Sequence, residues 1–111
     1  MASIAFPSFA KRATVADGTT YGYVFVAPSS ASKPTFLLLH GYPSSSYDWR
    51  KQIKALSNSG YGILAPDLLG YGDTDKPSDV SQYSMKTMSG HMIELLDIEK
   101  VQHCIAVGHD W

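Results

Sequence analysis

The distribution of apolar and polar residues divides the chain into two parts with different patterns. Near the start, two β-prone stretches, 12–15 and 21–26, flank a short polar segment that begins Asp17-Gly18. Asp-Gly between such stretches is a strong signal of a tight hairpin turn. From residue 35 onward, short apolar stretches alternate with longer amphipathic ones. The first part therefore predicts an antiparallel hairpin, and the second predicts alternating strands and helices.

Three apolar stretches in the second part predict strands, at 35–39, 62–65 and 101–107. The first is continuously apolar after Thr35, as expected of a strand that is buried on both faces of a parallel sheet. Between the first two strands, Trp49, Ile53 and Leu56 recur at helical spacing, with serines at 44–46 as candidate caps. Gly60 is the expected stop of this helix.

A second helix is predicted before the last strand, with Ser84 as its candidate N-cap. Its apolar face is expected to pack in the core and consists of Met85, Met88, Met92 and Leu95. Strands that alternate with helices are typical of βαβ units with right-handed crossovers. We therefore expect an α/β fold, in which an antiparallel hairpin is followed by a βαβαβ parallel sheet. The length of 111 residues fits at most one domain.

Composition and charge exclude several classes of partner. The chain is 44% hydrophobic, as is typical of a soluble globular domain, and carries 9 Lys and Arg against 10 Asp and Glu, a net charge of -1. Without a block of like charges we expect no nucleic-acid partner. The apolar runs, 36–39 among them, are far shorter than the roughly 18 residues of a membrane span. The first ten residues lack the pattern of a signal peptide, which favours a cytoplasmic or other intracellular location.

Metal and disulfide chemistry is not indicated. Cys104 is the only cysteine, so it has no internal disulfide partner and no paired zinc-ligand spacing. Asp73, Asp75 and Asp79 lack the spacing of a calcium loop and are interpreted as a solvated turn. Asp67 is expected to accept hydrogen bonds from its own loop. His91 and His103 are expected to meet solvent or a backbone carbonyl.

Candidate chemistry lies in polar motifs that follow each of the three predicted strands. A sharp strand-to-helix turn, the nucleophile elbow, lifts one side chain above a sheet and requires small residues two positions to either side. Gly108 meets this requirement upstream of Asp110. The motifs in chain order are His40-Gly41-Tyr42-Pro43, the segment 66–72 (PDLLGYG) and Gly108-His109-Asp110-Trp111.

In this order and context the motifs resemble the α/β-hydrolase fold family, and within it the epoxide hydrolases. These enzymes share the His-Gly-x-Pro loop, a Tyr-x-Trp-Arg stretch like that at 47–50, and a Gly-His-Asp-Trp elbow. The resemblance implies that Asp110 is the nucleophile and that the backbone NH groups of Tyr42 and Trp111 form the oxyanion hole. It also implies that five residues support the two loops: His40, Gly41, Pro43, Gly108 and His109.

An aspartate in the elbow indicates the type of reaction. A free aspartate side chain has a pKa of about 3.9, so it is ionised at neutral pH, whereas the serine of an esterase needs a base before it can attack. A carboxylate suits attack on a tetrahedral carbon that bears a leaving group. The resemblance therefore implies a small-molecule substrate, an apolar epoxide, that is opened to a diol through an ester on Asp110 without a cofactor.

Two alternatives stay open. Haloalkane dehalogenases of the same fold characteristically place Asn where this chain has Tyr42, although Trp111 fits both classes. The second alternative is a non-catalytic truncated product, because the general-base His, its carboxylate partner and the cap-domain tyrosines of the family all follow the elbow. We accordingly expect residues 1–111 to be the N-terminal part of one α/β-hydrolase core domain, with the cap domain and the C-terminal half of the core absent.

Overall fold

The strands of the protein form one mixed sheet. The computed structural model describes residues 4, 6–42 and 44–110, so Pro43 and Trp111 of the predicted motifs lie outside the described residues. The strands are β1 (Ala10–Thr14), β2 (Thr20–Val26), β3 (Thr35–Leu39), β4 (Gly62–Pro66) and β5 (Cys104–Gly108). Their order across the sheet is β1-β2-β4-β3-β5.

The pairing of the strands confirms the predicted fold class. β1 and β2 form the antiparallel hairpin, with Thr14 opposite Thr20 beside the turn. β2 also pairs antiparallel with β4, which joins the hairpin to the rest of the sheet. β3 lies between β4 and β5 and is parallel to both. The chain is thus an α/β structure in which the hairpin extends a parallel βαβαβ sheet.

Two α-helices connect the parallel strands, α1 (Arg50–Asn58) and α2 (Met85–Ile98). A short 3-10 turn, Ser46–Trp49, precedes α1, and the side chain of Ser45 accepts the NH of Tyr47 at its start. Gly60, with φ of 89°, follows the end of α1 as predicted. The predicted cap of α2 is also confirmed, since the side chain of Ser84 accepts the NH of Thr87.

Two details of the second half differ from the sequence prediction. Met85 is 73% exposed, because it occupies the first position of α2, outside the part of the helix that packs on the sheet. The last strand begins at Cys104 rather than at Val101. The NH of Val101 instead donates to the carbonyl of Leu96 at 2.8 Å. With Lys100 at φ of 59°, this bond closes the end of α2 as a Schellman-type cap.

The core lies on both faces of the sheet. On one face, Tyr21, Tyr23, Leu37 and Leu64 pack with Met92 and Leu95 of α2. On the other face, Val24, Leu38, Ile63 and Ala65 pack with Ile53 of α1. Neighbouring residues of β4 therefore point to opposite layers, as the alternation of side chains along a strand requires. Among the described helices, none has the length and apolar character needed to cross a membrane.

Polar contacts tie α2 to the hairpin. His91 is only 4% exposed, and its ring lies 2.8 Å from Oδ2 of Asp17 and 2.9 Å from the hydroxyl of Tyr21. The expectation that His91 meets solvent or a backbone carbonyl is therefore wrong. Glu99 completes the attachment, because its carboxylate lies 2.9 Å from Nζ of Lys11 and accepts the hydroxyl of Tyr23.

Candidate active site

The predicted motifs meet at one edge of the sheet. Parallel strands place their carboxyl ends side by side, and ligand sites of open α/β sheets lie outside those ends. The segment 40–42 follows β3, the segment 67–72 follows β4, and His109 and Asp110 follow β5. The fold therefore brings together motifs that are up to 70 positions apart in the sequence.

Asp110 occupies a strained turn. Its φ is 75°, in the left-handed region that few residues other than glycine adopt. Immediately before it, the NH of His109 donates to the carbonyl of Leu39 at 3.1 Å, which extends the pairing of β3 and β5 to the start of the turn. β5 ends at Gly108, and the Asp110 side chain is exposed. A left-handed residue directly after a strand is compatible with the predicted nucleophile elbow.

The loop after β3 provides a hydrogen-bond donor to this carboxylate. The backbone NH of Tyr42 donates to Oδ2 of Asp110 at 3.2 Å. The second predicted donor, the NH of Trp111, lies outside the described residues. The NH group of Tyr42 is thus directed at the Asp110 carboxylate. If Asp110 formed an ester, hydrolysis of that ester would place an oxyanion at this position.

Gly41 allows the two loops to approach. A Cβ atom added to Gly41 would lie 2.6 Å from Cβ of Asp110 and 3.1 Å from the carbonyl oxygen of His109. A Cβ atom on Gly108 would meet no described atom within 4 Å. Within the described part of the chain, the close approach to Asp110 is therefore at Gly41, where a side chain would clash. The described neighbours of Gly108 leave room for a larger residue at that position.

His40 joins two of the loops. Its Nε2 lies 2.9 Å from the NH of Leu68, and its Nδ1 lies 2.9 Å from the carbonyl oxygen of Gly41. Because an NH group can only donate, Nε2 is the acceptor and Nδ1 carries the proton. Burial lowers the pKa of His40 below its ordinary value, which favours the neutral ring that this arrangement needs. His40 is thus placed as a hydrogen-bonding link and not as a base.

Asp67 forms a second link and is completely buried. Its Oδ2 accepts the NH of Asp73 at 3.0 Å, within its own loop as predicted, and its Oδ1 accepts the NH of Ser46 at 2.8 Å. The contact with Ser46 was not predicted, because Ser46 belongs to the segment that follows the Tyr42 loop. One buried carboxylate therefore connects the loops after β3 and β4.

Sequence reasoning did not identify Tyr71 as part of the site. Its ring centroid lies 5.2 Å from that of His40 and 6.4 Å from that of Tyr42, both in edge-to-face geometry. Tyr71 stands between Gly70 and Gly72, which have φ values of 89° and 53°. The Gly-Tyr-Gly sequence in the loop after a strand could have indicated this position. Two flanking glycines are typical of a tight turn, in which the side chain between them is exposed at the loop surface.

A cleft of about 230 Å³ lies beside the elbow, on the side of α1. Asp110 is not among the residues that line it. Among the described residues, no three His, Cys, Asp or Glu side chains are grouped so that they could hold a metal ion. The cleft is lined by His40, Asp48, Trp49, Gln52 and His109.

An aspartate directly after a parallel strand, with an NH group from the loop after the neighbouring strand directed at it, resembles the arrangement at the strand ends of an α/β hydrolase. Residues 34–111 match the alpha/beta hydrolase fold family. The chain belongs to this family.

Comparison with individual proteins confirms the predicted similarity to epoxide hydrolases. The chain is 39% identical over 95 residues to an epoxide hydrolase of Caballeronia sordidicola, covering 86% of this chain and 29% of that protein. It is 42% identical over 93 residues to epoxide hydrolase 2 of Siraitia grosvenorii, covering 84% of this chain and 29% of that protein. A solved Vigna radiata epoxide hydrolase mutant matches 92% of this chain and 30% of its own, with 38% identity and a TM-score of 0.83. The chain thus spans less than a third of the length of these relatives.

Proposed function

We propose that this chain supplies the nucleophile and one oxyanion donor of an epoxide hydrolase, which opens a small apolar epoxide to a diol. The observation that carries the proposal is the 3.2 Å hydrogen bond from the NH of Tyr42 to Oδ2 of Asp110, in an elbow where Asp110 has φ of 75°. The similarity to epoxide hydrolases supports the choice of substrate.

The first step is attack on the epoxide. Oδ2 of Asp110 already accepts the NH of Tyr42, so Oδ1 is the oxygen that forms the new bond to an epoxide carbon. The bond from that carbon to the epoxide oxygen breaks, and the epoxide oxygen takes up a proton from solvent water to become the first hydroxyl of the product. The substrate is then held as an ester in which Oδ2 is the carbonyl oxygen.

The second step is hydrolysis of this ester. Water adds to the carboxyl carbon of Asp110, and Oδ2 becomes an oxyanion that the NH of Tyr42 stabilises. Loss of one such donor typically raises the barrier by about 3 to 4 kcal/mol. The bond from the carboxyl carbon to Oδ1 then breaks, Oδ1 takes up a proton from the added water and leaves as the second hydroxyl of the diol, and the carboxylate is restored. Water is the only co-reactant, so the reaction needs no cofactor. Activation of this water is assigned to groups beyond residues 4–110, as the resemblance implies.

The test follows the oxygen atoms of one turnover. The full-length gene product that carries this sequence is mixed with styrene oxide in water enriched in oxygen-18. The protein is in molar excess over styrene oxide, so that each molecule turns over once at most. In the proposed mechanism the diol of the first turnover takes its new oxygen from Asp110 and is unlabelled, while the label enters the Asp110 carboxylate, where peptide mass spectrometry locates it. Label in the first diol would show direct attack by water and overturn the proposal.

Asp110→Asn is the matched variant for this experiment, because Asn and Asp both tolerate the left-handed conformation. We expect it to form no diol and no ester while its thermal unfolding remains that of the parent. An ester on any other residue, or continued turnover by the variant, would contradict the assignment of the nucleophile.

A further inference from the structure

The outer face of α1 carries a group of positively charged side chains. Its cations are Arg50, Lys51 and Lys54, and all three side chains are exposed. At about 100° per residue they lie within about one third of the helix circumference. Ile53, on the inner side of the helix, is 1% exposed and packs in the core. The three cations therefore lie on the side of α1 that is directed away from the sheet.

A fourth cation extends this group past the end of α1. A Cβ atom on Gly60, which follows the helix, would lie 3.8 Å from Cε of Lys33. Nζ of Lys33 lies 4.8 Å from the ring centroid of Tyr61. Because a helix rises about 1.5 Å per residue, the nine residues of α1 alone cover about 13 Å. Two separate segments of the sequence thus form one basic surface, which consists of Lys33, Arg50, Lys51 and Lys54.

The basic surface has no counter-charge within the described part of the chain. The two ion pairs there both join the hairpin to the layer of α2 and include none of these four cations. Asp48 is the only acidic residue between Asp17 and Asp67, and it lines the cleft beside the elbow. Positive charge without a counter-charge attracts an anionic partner.

Two tyrosines of the basic surface favour a membrane over a nucleic acid as this partner. The guanidinium of Arg50 lies 4.4 Å from the ring centroid of Tyr47, which is 42% exposed, and Lys33 covers Tyr61 in the same way. Single-stranded nucleic acids bind through bases that stack on open aromatic faces, but here a cation already covers one face of each ring. Tyrosine beside basic residues is typical of the boundary between a membrane and water.

We propose that the basic surface binds the headgroups of an anionic phospholipid bilayer. Each cation near such a bilayer strengthens binding about fivefold, so the four together give a reversible attachment that salt weakens. The proposal does not depend on the hydrolase activity. Together with that activity, it would place the enzyme at the surface of the phase in which apolar epoxides accumulate.

The test is sedimentation of the full-length gene product with lipid vesicles, in the absence of substrate. It compares phosphatidylcholine vesicles with vesicles of phosphatidylcholine and phosphatidylserine in equal amounts. We expect binding to the second kind alone, and a loss of binding on addition of salt. Lys51→Gln combined with Lys54→Gln should weaken binding about 25-fold, at about fivefold for each cation. Glutamine forms helices about as well as lysine, so α1 should be retained.

Arg12→Gln combined with Lys86→Gln is the matched control, because it removes the same charge from two exposed positions outside the basic surface. Its affinity should stay within about twofold of the parent, since salt screens distant charges. Equal losses in the two double variants would overturn the proposal, as would equal binding to both kinds of vesicle or binding to neither. Tighter binding to single-stranded RNA of mixed sequence than to the anionic vesicles, at the same salt concentration, would overturn the choice of partner. None of these outcomes alters the epoxide hydrolase proposal, because no substrate is present.

Discussion

Gly41 and Asp110 approach each other so closely that a Cβ atom on Gly41 would lie 2.6 Å from Cβ of Asp110. The Asp110 side chain thus occupies the space that a side chain at position 41 would need. The same approach brings the next NH in the chain, that of Tyr42, to 3.2 Å from the Asp110 carboxylate. Close contact between the two loops is therefore a condition for the hydrogen bond.

Gly41→Ala is expected to separate the two loops and to lower kcat for styrene oxide by about 100-fold, because a displacement of about 1 Å at a reacting group has effects of that size. Gly90→Ala is the matched control. A Cβ atom on Gly90, within α2, meets no described atom within 4 Å, and alanine is favoured over glycine in a helix by roughly 0.5–1 kcal/mol. Its kcat should be unchanged and its Tm equal or higher. Normal turnover by Gly41→Ala would show that the two loops do not touch.

Asp67→Asn should mainly lower stability, whereas Asp110→Asn should abolish turnover. Each carboxylate oxygen of Asp67 accepts one backbone NH, from Ser46 and Asp73. An amide offers a single acceptor oxygen, so one buried NH would face an NH2 group, at a cost of about 1–3 kcal/mol. Thermal melts and kcat values of both variants provide the measurement. Near-normal kcat in Asp110→Asn, with deamidation excluded by mass spectrometry, would contradict the mechanism.

Acid should weaken the attachment of the hairpin through Asp17. Hydrogen bonds from Thr19, followed by that with His91, lower the pKa of Asp17 from 3.8 to about 2 in the folded protein. Its stabilising contribution is fully present above pH 3.8 and is lost as the pH falls towards 2. The unfolding free energy should therefore fall more steeply in this range for the parent than for Asp17→Asn. Parallel curves for the two proteins, measured by urea denaturation, would contradict this linkage.

The nature of the leaving group distinguishes the proposed enzyme from a dehalogenase of the same fold. Tyr42 offers no side-chain amide to a departing halide, and its backbone NH is already committed to Asp110. The full-length gene product should therefore convert styrene oxide to its diol faster than it releases bromide from bromoalkanes. Both rates can be measured in one assay series. Faster bromide release would reverse the choice between the two activities.

The outer edge of β5 should promote self-association of a polypeptide that consists of residues 1–111. Among the described strands, β5 pairs only with β3, and Ile105 on it is 47% exposed. An apolar edge with unpaired backbone groups is a template for further strands. Ile105→Lys should reduce light scattering by this polypeptide, because edge lysines oppose pairing. A monomeric parent with a sharp melting transition would show that the edge is protected.

Much of the fold was predictable because its signals are local. The Asp17-Gly18 turn, the Ser84 cap and the three apolar stretches each depend on a few adjacent residues, and the parallel connectivity then brings the motif loops to one edge. The burial of His91 was not predictable, because its partner Asp17 is 74 positions away. The start of β5 was misplaced because Lys100, rather than a glycine, adopts the left-handed conformation that ends α2.

The contact between Asp67 and Gly72 has a consequence for how this sequence can vary. The Asp67 carboxylate fills the space beside Gly72 that a side chain there would occupy, and the φ of 53° at Gly72 further disfavours one. A side chain at position 72 therefore requires a smaller residue at position 67, so the effects of substitutions at the two positions should be non-additive, as is common for residues in direct contact. Residues 67 and 72 should therefore be inherited together. Recombination between divergent homologues at a crossover within this loop would combine a residue 67 and a residue 72 that clash.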